Sequence, residues 1–319
     1  MTIQPSSPDD LRRILADFND RGQRAGDIDL SSLNRMVSFV PEDMTVTVEA
    51  GLTLDRLQAE LARERQWLPV DPPNPAHLSV GALLAANASG PRRFGCGTAR
   101  DHTIGIKVIL ADGRLVSSGG RVVKNVAGYD LAKLFIGSHG SLAVIVQATF
   151  KLRPLPEAEE FVQARCPSLD AAAALIESIA ESELTPVVLD LHNLGRSSAP
   201  AASGPPPFVV VLGFAGCAEE VAWQKARAAL LGLTEAGHLG HETDFWNGPA
   251  PARCISVLPS RLTETIRDLG GVAFVARAGN GLIYCRTGQP PIRAGSPPGL
   301  IQRLKNEFDP KHILPEVPL

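Results

Sequence analysis

Residues 68–116 read LPVDPPNPAHLSVGALLAANASGPRRFGCGTARDHTIGIKVILADGRLV, and this stretch sets the expected fold. It opens with a proline-rich loop at 71–77 and continues as a run of small apolar residues at 79–90, which predicts a buried helix. Two apolar strands then flank Asp112-Gly113, a dipeptide typical of tight hairpin turns. A helix followed by a hairpin predicts mixed α+β structure and not a regular succession of parallel β-α-β units.

The sequence on either side extends this mixture. Apolar residues at helical spacing predict helices at 8–20 and 53–65. Alternation of valine with polar residues predicts a strand at 44–50, and a valine- and isoleucine-rich run predicts a long strand at 141–154. The first half of the chain therefore reads as one α+β domain.

Pro154-Leu155-Pro156 marks a boundary, which divides the chain into a domain at 1–154 and a second at 155–319. After it, strands and helices follow the order β-α-β…β-α-β, which predicts a ferredoxin-like α+β domain. Small residues and prolines at 197–207 predict an exposed flexible loop. Two domains also suit a chain of 319 residues.

Charge and hydropathy exclude several function classes. The 31 basic and 34 acidic residues give a net charge of −3, so nucleic acid is not an expected partner. No apolar stretch approaches the length of a bilayer crossing, so we expect no membrane span. The first ten residues, MTIQPSSPDD, lack the basic and apolar regions of a secretory signal, which favours a cytoplasmic location.

The cysteines also favour a cytoplasmic location. Five of them are scattered along the chain without a C-x-x-C pair, which argues against an iron–sulfur cluster or a zinc ribbon on this chain. Odd, scattered cysteines are typical of reduced thiols in a cytosolic protein.

Glycines cluster at three places, at 81–90, at Gly95-Cys96-Gly97 and at 137–140. Ser79-Val80-Gly81 at the start of a helix could contact a phosphate, because small residues let backbone N–H groups approach a ligand. The alternative is tight helix–strand packing, and spacing alone favours it. Neither G-x-G-x-x-G after a strand nor a P-loop is present, which argues against a Rossmann fingerprint and a Walker motif.

The remaining polar motifs are less specific. His238-Leu239-Gly240-His241 carries two potential metal ligands, but without a third ligand nearby we interpret it as a solvated loop and predict no metal site. Residues 124–130 read KNVAGYD and could form either a ligand-facing loop or a turn that caps the next helix. The order of serine, histidine and acidic residues indicates no catalytic arrangement, so the catalytic residues are left unassigned.

Four segments carry a family resemblance: TVTVEAGLTLDRLQ (45–58), the stretch 68–116 quoted above, GGRVVKNVAGYDLAKLFIGSHGSLAVIVQATFKLRPLP (119–156) and LKNEFDPKHILPEVP (304–318). They resemble the FAD-binding subunit of bacterial glycolate oxidase, within the vanillyl-alcohol-oxidase/PCMH flavoprotein superfamily. SGPRR (89–93) followed by VVKNVAGYDLAKL is the pattern specific to that subunit.

The resemblance implies a PCMH-type FAD-binding domain followed by the ferredoxin-like domain, with FAD as the cofactor. By matched position, it implies that the flavin and its pyrophosphate contact Ala50, Gly51, Asp71, Pro72, Ser79, Val80, Gly81, Ala85, Asn87, Gly90, Gly137, Ser138, Gly140, Val144 and Ile145. Such small residues suit a cofactor that needs backbone donors at its phosphates and apolar contacts at its ring.

The resemblance also implies a reaction and partners. Members of the family oxidise a 2-hydroxy acid at the flavin and pass electrons on through partner subunits. This chain would then work beside a related catalytic flavoprotein subunit and an iron–sulfur subunit, in the cytoplasm or, through the complex, at the surface of the inner membrane.

Two departures from the family pattern limit what the chain does alone. Only RGQRAGD (21–27) stands where the superfamily has a strand and a glycine-rich pyrophosphate loop, so we expect a truncated first lobe. FVARAGNGLIY (274–284) stands where catalytic relatives carry a histidine-rich metal-binding segment, and it has no histidine. A hydroxy acid would therefore lack a Lewis acid or a base on this chain.

Three hypotheses remain open from the sequence. The chain is an FAD-binding subunit with an electron-relay or structural role, or a degenerate subunit that keeps the fold as an interaction module without flavin. The third is a stand-alone flavoenzyme for another hydroxy acid, which would need a substitute for the absent metal site.

Overall fold

The computed structural model describes residues 2–120, 130–194, 208–248, 253–286 and 298–316. The predicted loop at 197–207 and all but the last residue of the segment 124–130 lie outside the described residues.

Sixteen strands and eleven α-helices are labelled here in chain order. The strands are β1 (Thr2–Ile3), β2 (Asp27–Ile28), β3 (Met36–Val40), β4 (Thr45–Glu49), β5 (Gln66–Trp67), β6 (Thr103–Ile109), β7 (Leu115–Gly119), β8 (Val144–Lys151), β9 (Arg153–Pro154), β10 (Ala158–Cys166), β11 (Val188–His192), β12 (Phe208–Gly216), β13 (Thr234–Glu235), β14 (Arg253–Ser256), β15 (Phe274–Arg277) and β16 (Leu282–Cys285). The helices are α1 (Pro8–Arg21), α2 (Leu54–Ala62), α3 (Val80–Ala86), α4 (Arg93–Cys96), α5 (Ala99–His102), α6 (Ala132–Phe135), α7 (Leu169–Ala180), α8 (Ala218–Leu230), α9 (Gly240–Trp246), α10 (Leu262–Asp268) and α11 (Pro298–Phe308).

The chain divides into two compact units. The first contains the described residues of Met1–Gly90, Gly97–Leu155 and Gly295–Leu319. The second contains those of Pro91–Cys96 and Pro156–Ala294. Helix α11 and the residues after it therefore belong with the N-terminal half of the sequence.

The first unit is built on a five-stranded antiparallel sheet in the order β3-β4-β8-β6-β7. Helices α2 and α3 cover one face, where Leu57 and Leu83 join a core that includes Val48 of β4. A second cluster joins α1 and the C-terminal segment to Val146 of β8. Because both faces are covered, all five residues of β4 are buried, threonines included.

Local signals set the ends of the helices. Ser7 caps α1 by accepting a hydrogen bond from the Asp10 backbone at 3.1 Å, and Gly22 ends it in the left-handed conformation at φ 61°. Helix α3 ends at Ala86, short of the predicted Gly90, because Asn87 takes the left-handed conformation at φ 45°.

The N-terminus carries more structure than the sequence suggested. Strands β1 and β2 are two residues each and pair in parallel on either side of α1. A short strand therefore does precede the first helix. Strand β2 begins at the end of the segment 21–27, where the superfamily loop was expected, and it passes directly into a turn in which the Ser31 backbone donates to Asp29 at 2.9 Å.

The second unit contains a seven-stranded antiparallel sheet in the order β13-β10-β12-β11-β15-β16-β14. Its first four strands and helices α7 and α8 follow the chain order β10-α7-β11-β12-α8-β13, with β10 between β13 and β12. This is the predicted ferredoxin-like split unit, extended at one edge by three strands. The predicted α+β fold class is thus confirmed. None of the helices in the described ranges has the length and hydropathy that a bilayer crossing requires.

Candidate functional site

A cavity of about 490 Å³ lies in the first unit, within the size range of small-molecule sites. It is bordered by the turn after β2, the start and outer face of α3, and the beginning of β8. The described residues that line it are Gly26, Asp27, Ile28, Asp29, Leu30, Ser31, Gly51, Thr53, His77, Ser79, Gly81, Ala82, Ala85, Gly140, Ala143, Val144, Ile145, Leu314 and Pro315. We call this cavity the chamber.

The chamber brings together seven of the fifteen residues that the resemblance implied. These are Gly51, Ser79, Gly81, Ala85, Gly140, Val144 and Ile145. The remaining eight do not line it, and they are Ala50, Asp71, Pro72, Val80, Asn87, Gly90, Gly137 and Ser138. Sequence reasoning missed the wall contributed by the turn after β2 and by Leu314 and Pro315, because these segments are distant along the chain.

Close packing explains several of the glycines. A Cβ on Gly51 would lie 1.8 Å from the Leu30 carbonyl oxygen, and a Cβ on Gly90 would lie 1.8 Å from that of Asp71. A Cβ on Gly81 would lie 3.1 Å from Ala50. At these positions the packing alternative accounts for the glycine without a ligand.

Gly140 differs from them. Its φ of 75° favours glycine, and a Cβ added there would meet no atom within 4 Å. It therefore leaves open space at the chamber wall where backbone is exposed to a ligand.

The start of α3 does not offer the backbone donors that the sequence suggested for a phosphate. Val80 donates its N–H to the Leu52 carbonyl at 2.8 Å, and Gly81 donates to the Ala50 carbonyl at 2.7 Å. The Ala82 N–H is bound by the Ser79 hydroxyl at 3.2 Å. The first two donors hold the helix against the segment that follows β4. A phosphate contact at 79–81 stays a prediction, and it would have to use other donors.

Lys305 of α11 fixes the opposite wall. Its ammonium nitrogen lies 2.9 Å from the Ser141 carbonyl, 2.6 Å from an Asp309 carboxylate oxygen, and 3.2 and 2.9 Å from the carbonyls of Leu314 and Pro315. The Lys305 side chain is 1% exposed and that of Asp309 is fully buried. This contact joins the segment after α11 to the turn that carries Gly140.

Two carboxylates border the chamber. Asp29 accepts hydrogen bonds from the Ser31 backbone and from Gln4, and the Ser31 backbone bond is the main cause that holds the pKa of Asp29 below its usual value. Asp27 is exposed beside it. Strand β2 and the turn after it therefore place two carboxylates at the chamber wall.

The chamber suits the flat ring system of FAD better than the phosphates. Its volume, the small side chains of α3 and the aliphatic residues of β8 suit a flat ring system. Phosphates would have to use donors other than the N–H groups of Val80, Gly81 and Ala82, which are already bonded. The residues present thus fit the ring and fit the phosphates only in part.

A second polar cluster lies in the second unit and is largely buried. Asp190 of β11, His241 and Glu242 of α9, and Arg277 of β15 meet there, and Arg277 is 1% exposed. His241 is buried and bonded to Asp190 at 2.9 Å, so the interpretation of 238–241 as a solvated loop is wrong for this residue. A histidine that begins a helix is the only sequence signal, since its partner lies 51 positions away.

Comparison with known proteins shows what the first half of the chain is similar to. Residues 24–119 match the family model described as FAD binding domain. The chain is 35% identical over 159 residues to the glycolate oxidase subunit GlcD of Bacillus subtilis (strain 168), which covers 50% of this chain and 34% of that protein. It is 34% identical over 161 residues to the glycolate oxidase subunit GlcE of Escherichia coli (strain K12), covering 50% and 45%. The match thus spans less than half the length of either relative.

The fold is also found among solved structures. An alkyldihydroxyacetonephosphate synthase structure superposes with a TM-score of 0.71 and 16% identity, covering 98% of this chain and 75% of the other. At this identity the similarity concerns the fold alone. The sequence matches confirm the family resemblance and confirm FAD as the cofactor of the matched domain. The chain therefore carries an FAD-binding domain of the PCMH type that is related to the glycolate oxidase subunits.

Proposed function

We propose that this protein is the FAD-binding subunit of a 2-hydroxy-acid oxidoreductase complex of the glycolate oxidase kind, acting as an electron relay or structural subunit beside a catalytic flavoprotein. The observation that carries the proposal is the chamber, because most of its wall comes from the segment that matches the FAD-binding family. Bound FAD would supply the redox chemistry. The residues proposed to hold it are Gly51, Ser79, Ala82, Ala85, Gly140, Val144 and Ile145.

The proposed division of labour rests on the second unit. In the described part of that unit, Arg277 lies in the buried polar cluster. Two carboxylates, those of Asp190 and Glu242, already bind its guanidinium. The guanidinium of Arg277 is therefore already bonded and not free to bind a hydroxy acid. We place substrate oxidation on the catalytic flavoprotein partner, and onward electron transfer on an iron–sulfur partner.

A direct test of this division is reconstitution. The chain alone should not reduce a dye with glycolate, whereas the chain mixed with a catalytic flavoprotein and an iron–sulfur subunit should. Rapid glycolate oxidation by the isolated chain would refute the division of labour.

The alternative function is an interaction module that keeps the fold without flavin. It is favoured by the bonded N–H groups at the start of α3 and by Asp27 and Asp29 at the chamber wall. The visible spectrum of the purified protein, before and after addition of FAD, decides between the two functions.

Filling the chamber should abolish flavin binding. Ala82 lies on the exposed side of α3 and lines the chamber, so an indole placed by Ala82→Trp would occupy the ring's space. We expect FAD affinity to fall by more than about 100-fold, which corresponds to roughly 2.7 kcal/mol. Titration of protein fluorescence with FAD measures it.

Ala86→Trp is the matched control, since Ala86 is exposed on the same helix and does not line the chamber. Its affinity should equal that of the wild type. Equal affinity of all three proteins would place the flavin elsewhere.

Removing negative charge at the chamber should strengthen flavin binding. Asp27→Asn takes one carboxylate away from a dianionic pyrophosphate, and we expect about a two- to five-fold gain in FAD affinity at low salt that fades as salt screens the charges. Asp20→Asn makes the same change of net charge away from the chamber and should have no effect. An unchanged affinity in Asp27→Asn would mean that the phosphates lie far from Asp27.

A further inference from the structure

The polar cluster of the second unit has the geometry of a cation site with a guanidinium inside it. Three potential ligand atoms, one each from Asp190, His241 and Glu242, lie within 4.8 Å of one another. A carboxylate pair with an imidazole is a ligand set that suits a divalent transition metal.

The guanidinium of Arg277 is bound by these ligands. One terminal nitrogen lies 2.6 Å from Oδ2 of Asp190 and 2.8 Å from Oε1 of Glu242. The other donates to Oε2 of Glu242 at 2.7 Å. His241 Nε2 lies 2.9 Å from the same Oδ2 of Asp190 and 3.7 Å from Oε1 of Glu242. The first nitrogen and His241 therefore lie beside the same two potential ligand oxygens, Oδ2 of Asp190 and Oε1 of Glu242.

The cluster keeps coordination capacity that the guanidinium does not use. Oδ1 of Asp190 is buried and has no hydrogen-bond partner in the described part of the chain, and Asp190 is fully buried. A buried carboxylate oxygen without a donor is unusual, because its desolvation goes uncompensated. A metal ion would satisfy it, whereas Arg277 as placed does not.

Aromatic side chains surround the cluster and leave only Glu242 partly exposed. The His192 ring stacks on His241 with centroids 4.7 Å apart, and the Tyr284 ring lies under the Arg277 guanidinium at 5.5 Å. Trp246 donates to Glu242 at 3.0 Å. The contacts of His192 and Trp246 are made to His241 and Glu242 directly and not through the guanidinium.

We propose that Arg277 is a resident internal cation that occupies a divalent-metal site, so that the second unit needs no metal and binds one only when the guanidinium is removed. The metal-binding segment expected from the family does not fit here, because the segment 274–284 has no histidine and contributes Arg277, a competing cation, to the cluster. This inference concerns a different site from the chamber and does not depend on flavin binding.

The test compares metal binding by the full-length wild type and the Arg277→Ala variant. Co²⁺ is added to each metal-free protein and its visible absorption is recorded, and the melting temperature is measured with and without Zn²⁺. We expect the variant to gain a bound-Co²⁺ spectrum at one equivalent and to melt at least about 5 °C higher with Zn²⁺. The wild type should show neither effect.

Two controls isolate the cluster. The double variant Arg277→Ala/His241→Gln should lose the response to both metals, since it lacks one ligand. Arg267→Ala removes an exposed arginine that pairs with Asp170, and it should behave as the wild type does. A response in Arg267→Ala, or an unchanged response in the double variant, would assign the metal to other residues and overturn the proposal.

The remaining outcomes are also decisive. Recovery of folded Arg277→Ala only when Zn²⁺ is present supports the proposal, and a folded variant that binds neither metal overturns it. If the variant folds under no condition, elemental analysis of the wild type decides. Substoichiometric metal with a melting temperature unaffected by EDTA supports Arg277 as the resident cation, and one tightly bound metal per chain overturns it.

Discussion

Replacing Lys305 by methionine is expected to lower the free energy of unfolding of the first unit by about 3–5 kcal/mol. The substitution leaves the Asp309 carboxylate buried without its ammonium partner, and it removes the donor that three carbonyl oxygens share. Asp309 would keep only the backbone donors of Ile313 and Leu314. Urea unfolding of the full-length protein, followed by far-UV circular dichroism, measures the loss.

Lys133→Met is the matched control. Lys133 is about half exposed and pairs with Asp130 one helical turn away, so its loss should change the free energy by no more than about 0.5 kcal/mol. If Lys305→Met were as stable as this control, the buried contact would contribute nothing to stability.

The same substitution should also weaken flavin binding. Leu314 and Pro315 line the chamber, and Lys305 joins them to the Ser141 carbonyl, next to Gly140. Without that contact both walls lose their common support, so we expect FAD affinity to fall in conditions where the variant is still folded. An unchanged affinity there would show that these walls keep their places without the lysine.

Acidification should destabilise the second unit through His192. Burial, and after it the nearby His241, lowers the pKa of His192 from 6.5 to about 3. The folded protein therefore keeps this ring neutral over a range in which the unfolded chain takes up a proton, so the free energy of unfolding falls as the pH falls from 6.5 towards 3. From pH 6.5 to 5 the loss is about 2 kcal/mol.

The contacts of His192 explain why it stays neutral. Its Nδ1 accepts the Leu194 backbone N–H at 3.2 Å, and a protonated ring would lose that bond. Among the neighbouring titratable groups, His241 and Arg165 lower the pKa of His192, while Asp190 raises it. Burial decides the balance.

Urea unfolding at pH 7.5, 6 and 5 tests this prediction. His192→Asn keeps an acceptor near the Leu194 N–H but cannot titrate. The slope of its unfolding free energy against pH should therefore be smaller than that of the wild type, by the equivalent of about one proton. His238→Asn, at an exposed position, should keep the slope of the wild type. An identical slope in His192→Asn and the wild type would contradict the assignment. The pKa values of Asp190 and Glu49 are also lowered, so these groups affect the free energy of unfolding in a separate pH range. That range lies at and below the usual pKa of a carboxyl group.

Local patterns predicted most elements of the fold. Period-two alternation placed β4, helical spacing placed α1 and α2, and the order of elements after Pro156 predicted the ferredoxin-like unit. Each of these signals is a property of a few neighbouring residues. Where they were wrong, as at the end of α3, the left-handed conformation of Asn87 stopped a helix that its apolar pattern would have continued.

The site was harder to predict, because its chemistry depends on which groups are already bonded. The sequence offered Ser79-Val80-Gly81 as phosphate donors, but the Leu52 and Ala50 carbonyls bind two of those N–H groups across the contact with the segment that follows β4. The chemistry of the second unit also depends on which groups are bonded. In the sequence Arg277 looks like an ordinary strand residue, but in the fold it binds Asp190 and Glu242.

By itself, the sequence determined the fold class, the FAD-binding family and seven of the residues that border the chamber, because spacing and side-chain size are written along the chain. Only the tertiary structure decided which backbone donors remain free, that Lys305 holds the C-terminal segment at the chamber, and that an arginine stands among potential metal ligands. Hydrogen bonds and ion pairs saturate, so a group's chemistry depends on partners brought to it from distant parts of the chain.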